Sequence, residues 1–184
     1  MLDESSFEHP VVVSSWIDGD VDAKRPSTDQ DWQSLLDHLL RVFSVTPDAV
    51  HIELPEAVNN ANGSVAAGGL IEGEVSRFPD EHASDELREL VSGTRAWLDT
   101  CRWLRPEAAV LCRQDPKPSN FIRRPSGWAS VDWESAGWGD PAFEIADLLC
   151  HPSYLATPPP KRRALVDGYV KARRSTNAHE RIAA

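Results

Sequence analysis

An apolar, β-branched run at 10–15, "PVVVSS", is closed by the turn-forming "WIDGD", which predicts a buried strand near the start of the chain. In "STDQDWQSLLDHLLRVFS", Trp32, Leu35, Leu36, Leu39 and Leu40 recur at helical spacing behind Ser/Thr/Asp start signals, and an amphipathic helix follows. From 47 to about 77 the periodicity fades, and "NNANGSVAAGG" has the composition of a flexible loop. A second helix is expected over roughly 84–104, with Leu87, Leu90, Val91, Trp97, Leu98 and Cys101 on one face and Pro106 as its stop. "AAVLC" then reads as a short strand. A hairpin follows, with strands at 121–124 and 128–131 around the turn residues Pro125, Ser126 and Gly127. "GDPAFEIADLLCH" starts a helix with Asp140 as cap and Pro141 at the first helical position, where its missing N–H costs nothing. A last helix near 160–174 offers Leu165, Val166, Tyr169 and Val170 for packing, with its Arg pairs on a solvated side. These elements predict an α+β, mainly helical fold.

The chemistry concentrates in "RQDPKPSNFIRRPSGWASVDWES". A hairpin centred on Ser126 sets Asn120 opposite Asp132, and facing Cα atoms in an antiparallel pair stand about 4.5–5.5 Å apart. An amide oxygen and a carboxylate brought together in this way suit Mg²⁺ better than a metal that prefers nitrogen or sulfur. Asp115 precedes them on a loop, since Pro116 and Pro118 forbid a regular helix, and is free to act as a base. The competing reading is an ordinary hairpin with polar ends.

Composition narrows the classes. The 184 residues suffice for one domain with a sizeable core or for two small ones, and 41% hydrophobic content argues against general disorder. No run has the length of a membrane span, and the acidic N-terminus is unlike a signal peptide, so a cytoplasmic protein without membrane partners is the expectation. Cys101, Cys112 and Cys150 show no CxxC spacing and are expected to be small buried hydrophobes. A net charge of −10 leaves no basic stripe for nucleic acid. It is compatible with a cationic substrate, and equally with salt adaptation or plain solubility.

"LCRQDPKPSNFI", "ASVDWES" and "GDPAFEIADLL", in this order, resemble the catalytic loop, metal-binding strand end and following helix of the aminoglycoside phosphotransferase and choline kinase-like family, which has the protein-kinase-like fold. The resemblance extends over 10–174 as the C-terminal large lobe, with 1–9 and 175–184 as tails. It implies a phosphotransferase that uses ATP and Mg²⁺ on the hydroxyl of a small molecule. Asp115 matches the catalytic aspartate, and Asn120 and Asp132 match the metal ligands on the nucleotide. Lys117 matches a lysine that faces the transferred phosphate in many protein kinases, or is a surface residue between two prolines. Arg113 and Gln114 stand where the family usually has His-Gly. Arg113 is expected to form a salt bridge with Glu144 and so brace the loop. The segment at 10–20 resembles the last strand and hinge of the small lobe, which puts Ser14, Ser15 and Trp16 beside the nucleotide. The resemblance also calls for a glycine-rich loop and a strand lysine upstream; their lack here implies a missing N-terminal lobe, encoded separately or lost. A non-catalytic remnant that binds or regulates is the alternative, and a magnesium-dependent hydrolase a third reading that lacks a second carboxylate pair.

Overall fold

The computed structural model describes residues 2–3, 11–12, 15–21, 25–51, 53–78, 83–101, 104, 107–173, 179 and 182. Two strands, β1 (Leu2–Asp3) and β2 (Val11–Val12), pair antiparallel, so part of the expected N-terminal tail is strand. Among the described residues five α-helices follow: α1 (Asp29–Val42), α2 (Ser64–Ser76), α3 (Asp85–Leu98), α4 (Pro141–Cys150) and α5 (Pro159–Arg173). Between α3 and α4 lie β3 (Val110–Cys112), β4 (Phe121–Arg124), β5 (Gly127–Ser130) and β6 (Gly137–Gly139). The result is a mixed helix and sheet fold with small, two-stranded antiparallel sheets.

Helix α1 starts where Thr28 and Asp31 close a capping box: the Asp31 N–H donates to Thr28 Oγ1 at 3.1 Å and the Thr28 N–H to Asp31 Oδ2 at 3.1 Å. Its apolar stripe, Trp32, Leu35, Leu36 and Leu39, is buried as the spacing predicts. The stripe lies between α5 and the β4–β5 hairpin. Phe43, Phe121, Ile145, Leu148, Tyr154 and Tyr169 complete the centre of the core.

Four expectations need correction. The stretch at 59–69 is not a loop throughout, because α2 begins at Ser64 despite its glycines. Docking against α3, together with the Leu104 N–H donating to Ser64 Oγ at 2.6 Å, outweighs a helix cost of about 1 kcal/mol per glycine. Helix α3 ends at Leu98 instead of 104, and of its apolar face only Leu98 is buried, while Leu90 and Trp97 stay exposed. Of the three cysteines, Cys112 alone is buried; Cys150 is exposed. Strand β6, absent from the sequence pattern, pairs with β3 because its "GWG" admits a second layer. A Cβ on Gly137 would come within 2.3 Å of the Pro55 carbonyl oxygen, and one on Gly139 within 2.6 Å of Asn60. The segment at 55–60 can therefore lie directly on β6, with the Trp138 N–H donating to Pro55 O at 2.9 Å and the Ala57 N–H to Trp138 O at 3.0 Å.

Candidate active site

The loop after β3, the end of β5 and the first turns of α4 converge on one residue, Arg113. Arg113, 1% exposed, donates from Nη1 to the carbonyl oxygens of Val131 at 3.0 Å and Asp132 at 3.2 Å, and from Nη2 to that of Asp115. Its planar face lies 4.8 Å from the centroid of the Phe121 ring. One side chain thus ties the loop that carries Asp115 to the strand end that carries Asp132. Three residues here, Gln114, Asp115 and Asp132, hold φ values of 61°, 49° and 62° in the left-handed region. Such backbone costs of order 1–3 kcal/mol per residue and persists only where its surroundings enforce it. The three carbonyl bonds to Arg113 supply that enforcement.

The expected partner of Arg113 is present in a different bonding arrangement. Glu144, fully buried on α4, accepts the Arg113 backbone N–H at Oε2 over 2.9 Å, while the guanidinium turns to carbonyls instead of forming a salt bridge with it. Burial pushes the Glu144 carboxyl up to about 7, opposed by that N–H, by the Arg113 charge and by the neighbouring Cys112 and Gln114 groups. Burial likewise lowers Arg113 from its ordinary value, with Glu144, Asp115 and Asp132 pulling it back.

Asp115 is held at one oxygen. Lys117 Nζ stands 3.0 Å from Oδ2, and Asn120 Nδ2 donates to the same atom at 2.9 Å, so Oδ1 is the oxygen left for an incoming hydroxyl. The same bond orients Asn120: its nitrogen is committed to Asp115, which makes Oδ1 the atom a hard cation would meet. The hairpin register is shifted by one residue from the expected one. The turn holds two residues, Pro125 and Ser126, and Gly127 already pairs with Arg124. Asn120 therefore faces Val131, whose N–H donates to its carbonyl at 3.0 Å, and Asp132 follows one residue on with an exposed side chain. The Asn120 amide oxygen and the Asp132 carboxylate are hard donors of the type Mg²⁺ takes beside waters and phosphate oxygens.

Beneath the hairpin lies His38, a residue the sequence pattern placed only as part of the first helix. Its Nε2 is 3.0 Å from Ser130 Oγ, and burial, with Arg41 and Arg113 nearby, lowers its pKa to about 4. A neutral imidazole thus supports the strand that leads to Asp132.

Asp115 and Lys117 open onto a cleft of about 490 Å³. Its other walls are Val58 and Asn59 on the segment over β6, Glu134 and Ser135 beyond β5, and Phe143, Asp147 and His151 of α4 and its end. Burial raises the Asp147 carboxyl above its ordinary range and the Asp115 charge adds to this, while His151 works against it. The Val58–Asn59 wall is anchored by Asn60, which accepts the Asp140 N–H at 2.8 Å and donates to the Asp140 carbonyl at 3.2 Å. Glu134, Ser135, Phe143 and Asp147 fall within the motifs of the resemblance, but none of these wall residues was given a role of its own from the sequence, although Phe143, Asp147 and His151 recur at four-residue intervals along α4 and its C-cap.

The hinge-like residues are not part of this cluster. Ser15 and Trp16 are exposed, Trp16 at 88%, and Ser14 lies outside the described residues. Downstream of them Asp20 exchanges two backbone bonds of 2.9 Å with Arg123, which attaches the segment to β4. Among the described residues no helix is long and apolar enough to cross a membrane.

Comparison with solved structures finds the fold in a macrolide 2′-phosphotransferase type I, with a TM-score of 0.56 and 20% sequence identity. The match covers 83% of this chain and 49% of that one, so the chain spans about half the length of the structure it matches. No curated protein matches the sequence. The model of the phosphotransferase enzyme family, by contrast, matches residues 3–184, and the chain belongs to that family.

Proposed function

We propose that residues 10–174 form the large lobe of a protein-kinase-like, ATP- and Mg²⁺-dependent phosphotransferase that acts on a hydroxyl of a small cationic acceptor. The observation that carries this reading is the Arg113 guanidinium, which joins the carbonyls of Asp115 and Asp132 into one rigid unit. Phosphoryl transfer asks the protein for an aligned hydroxyl and neutralised charge more than for covalent chemistry. Asp115, with Oδ2 committed to Lys117 and Asn120, presents Oδ1 to orient the acceptor hydroxyl and take its proton. Lys117, 57% exposed, is placed to exchange Asp115 for a phosphate oxygen. Asn120 Oδ1 and Asp132 would hold Mg²⁺, which neutralises charge on the transferred group. The carboxylates of Glu134 and Asp147 in the cleft favour an ammonium group on the acceptor, and Val58, Pro116 and Phe143 supply apolar contact. On this reading Ser15 and Trp16 belong to the nucleotide side. On the same reading the nucleotide also meets the glycine-rich loop and strand lysine of a small lobe.

Calorimetric titration of ATP with and without Mg²⁺ tests the assignment. Asp132→Ala should abolish Mg²⁺-dependent nucleotide binding. Asp115→Ala should keep it and lose transfer, because one residue holds the metal and the other addresses only the acceptor. Equal loss of binding in both variants would refute this division. A non-catalytic binding domain is the second reading. It predicts nucleotide binding without transfer even when a small lobe is added.

A further inference from the structure

Gln114 carries two costs. It sits at φ 61°, where a residue with a β-carbon is strained and glycine is not. Its side chain is buried, at 4% exposure, yet Nε2 has no hydrogen-bond partner among the described residues. A buried donor left unpaired costs on the order of 1–3 kcal/mol. Glycine at this position would avoid both penalties. Gln114 is also a wall of the cleft, next in sequence to Asp115. The last torsion of a glutamine is soft and broad, so rotation of the terminal amide is a low-cost way to offer its donor to a ligand in that cleft. Two other polar donors beside Asp115, Lys117 and Asn120, are already committed to its Oδ2.

Building on the assignment of this cleft to the acceptor, we infer that Gln114 is a specificity-determining residue whose amide donates to an acceptor oxygen beside the hydroxyl presented to Asp115. Gln114 and Asp115 adjoin in the chain and line the same cleft, so the oxygen served by Gln114 lies on the same ligand, near the hydroxyl presented to Asp115, while the cationic group meets the Asp147 side of the cleft.

The test uses the full chain, with glucosamine as a probe that carries both an ammonium and neighbouring hydroxyls, and cyclohexylamine as a probe of similar ring size without hydroxyls. Binding is followed by ¹⁵N–¹H shifts, the Gln114 side-chain amide being assigned from its loss in Gln114→Met. Glucosamine should shift that amide saturably. Gln114→Met, which keeps the volume and removes the donor, should weaken glucosamine about tenfold and leave cyclohexylamine unchanged. Gln114→Gly should show the same selective loss with an equal or higher melting temperature, which excludes misfolding as the cause. Equal glucosamine affinity in wild type and Gln114→Met overturns the role of Gln114 and leaves the acceptor cleft standing. Equal weakening of both amines also overturns it, since that is what a merely structural residue would do. Failure of both amines to bind the wild-type protein overturns the cationic-acceptor reading and this inference with it.

Discussion

Replacing Arg113 with Ala removes the guanidinium but keeps the backbone N–H that Glu144 accepts, so the measured loss belongs to the side chain alone. Three carbonyl oxygens, of Asp115, Val131 and Asp132, lose their donor in a region where Arg113 itself is 1% exposed. Glu144 also loses its nearest opposing charge while remaining fully buried. Deleting one partner of a buried charged arrangement costs about 3–5 kcal/mol, because the remaining groups stay desolvated and unpaired. In a chain of this size 1 kcal/mol corresponds to roughly 2–4 °C, so the melting temperature should fall by on the order of 10 °C. Thermal unfolding followed by circular dichroism reads this directly. Arg113→Lys should fall between wild type and Arg113→Ala, since an ammonium keeps the charge but lacks the fork that reaches two segments at once. Adding Glu144→Gln to Arg113→Ala should recover part of the loss, because an amide oxygen still accepts the backbone N–H without a buried charge. An unchanged melting temperature in Arg113→Ala would show that the carbonyls find other partners and that the brace is not what holds the loop.

Further outcomes follow from the same geometry. His38, with its pKa lowered to about 4 from 6.5, leaves the unfolded chain to bind the proton first, so its contribution to stability falls as pH drops from 6.5 toward 4. Glu144, raised to about 7 from 4.5, has the opposite sign, binding a proton first in the folded state and favouring it as pH drops through 7. His38→Gln should therefore remove a penalty of about 2 kcal/mol at pH 5 relative to pH 7.5, read from urea midpoints; parallel loss in variant and wild type would contradict a buried neutral imidazole. Gly137→Ala, whose Cβ would meet the Pro55 carbonyl at 2.3 Å, should displace the segment over β6 and cost about 1–3 kcal/mol in urea unfolding. Asn60→Ala, which loses both bonds to the Asp140 backbone, should cost a similar amount and increase amide hydrogen exchange at 57–61, whereas exchange confined to residue 60 would show that the wall is held by other contacts.

Local pattern was enough for the elements whose signals are local. The stripe and cap of α1, the Asp140–Pro141 start of α4 and the order of Asp115, Asn120 and Asp132 could be read from the chain, because each depends on spacing within a few residues. Resemblance to a family then supplied roles that spacing alone leaves open. The tertiary structure decided the rest. The hairpin register turned on whether Gly127 belongs to the turn or to the strand, and a backbone with a positive φ of 115° allowed it to pair with Arg124. Helix α2 depended on a docking partner more than ten residues away, which no propensity encodes. Strand β6 depended on two glycines whose meaning appears only when the segment at 55–60 lies against them. Arg113 and Glu144 were recognised as a pair, but which atoms would meet was set by the competing demand of three buried carbonyls for one guanidinium. The cleft combines the segment at 58–59, the loop at 114–117, Glu134 and Ser135, and one face of α4; residues so far apart along the chain become a single surface only because the core beneath them packs in one way.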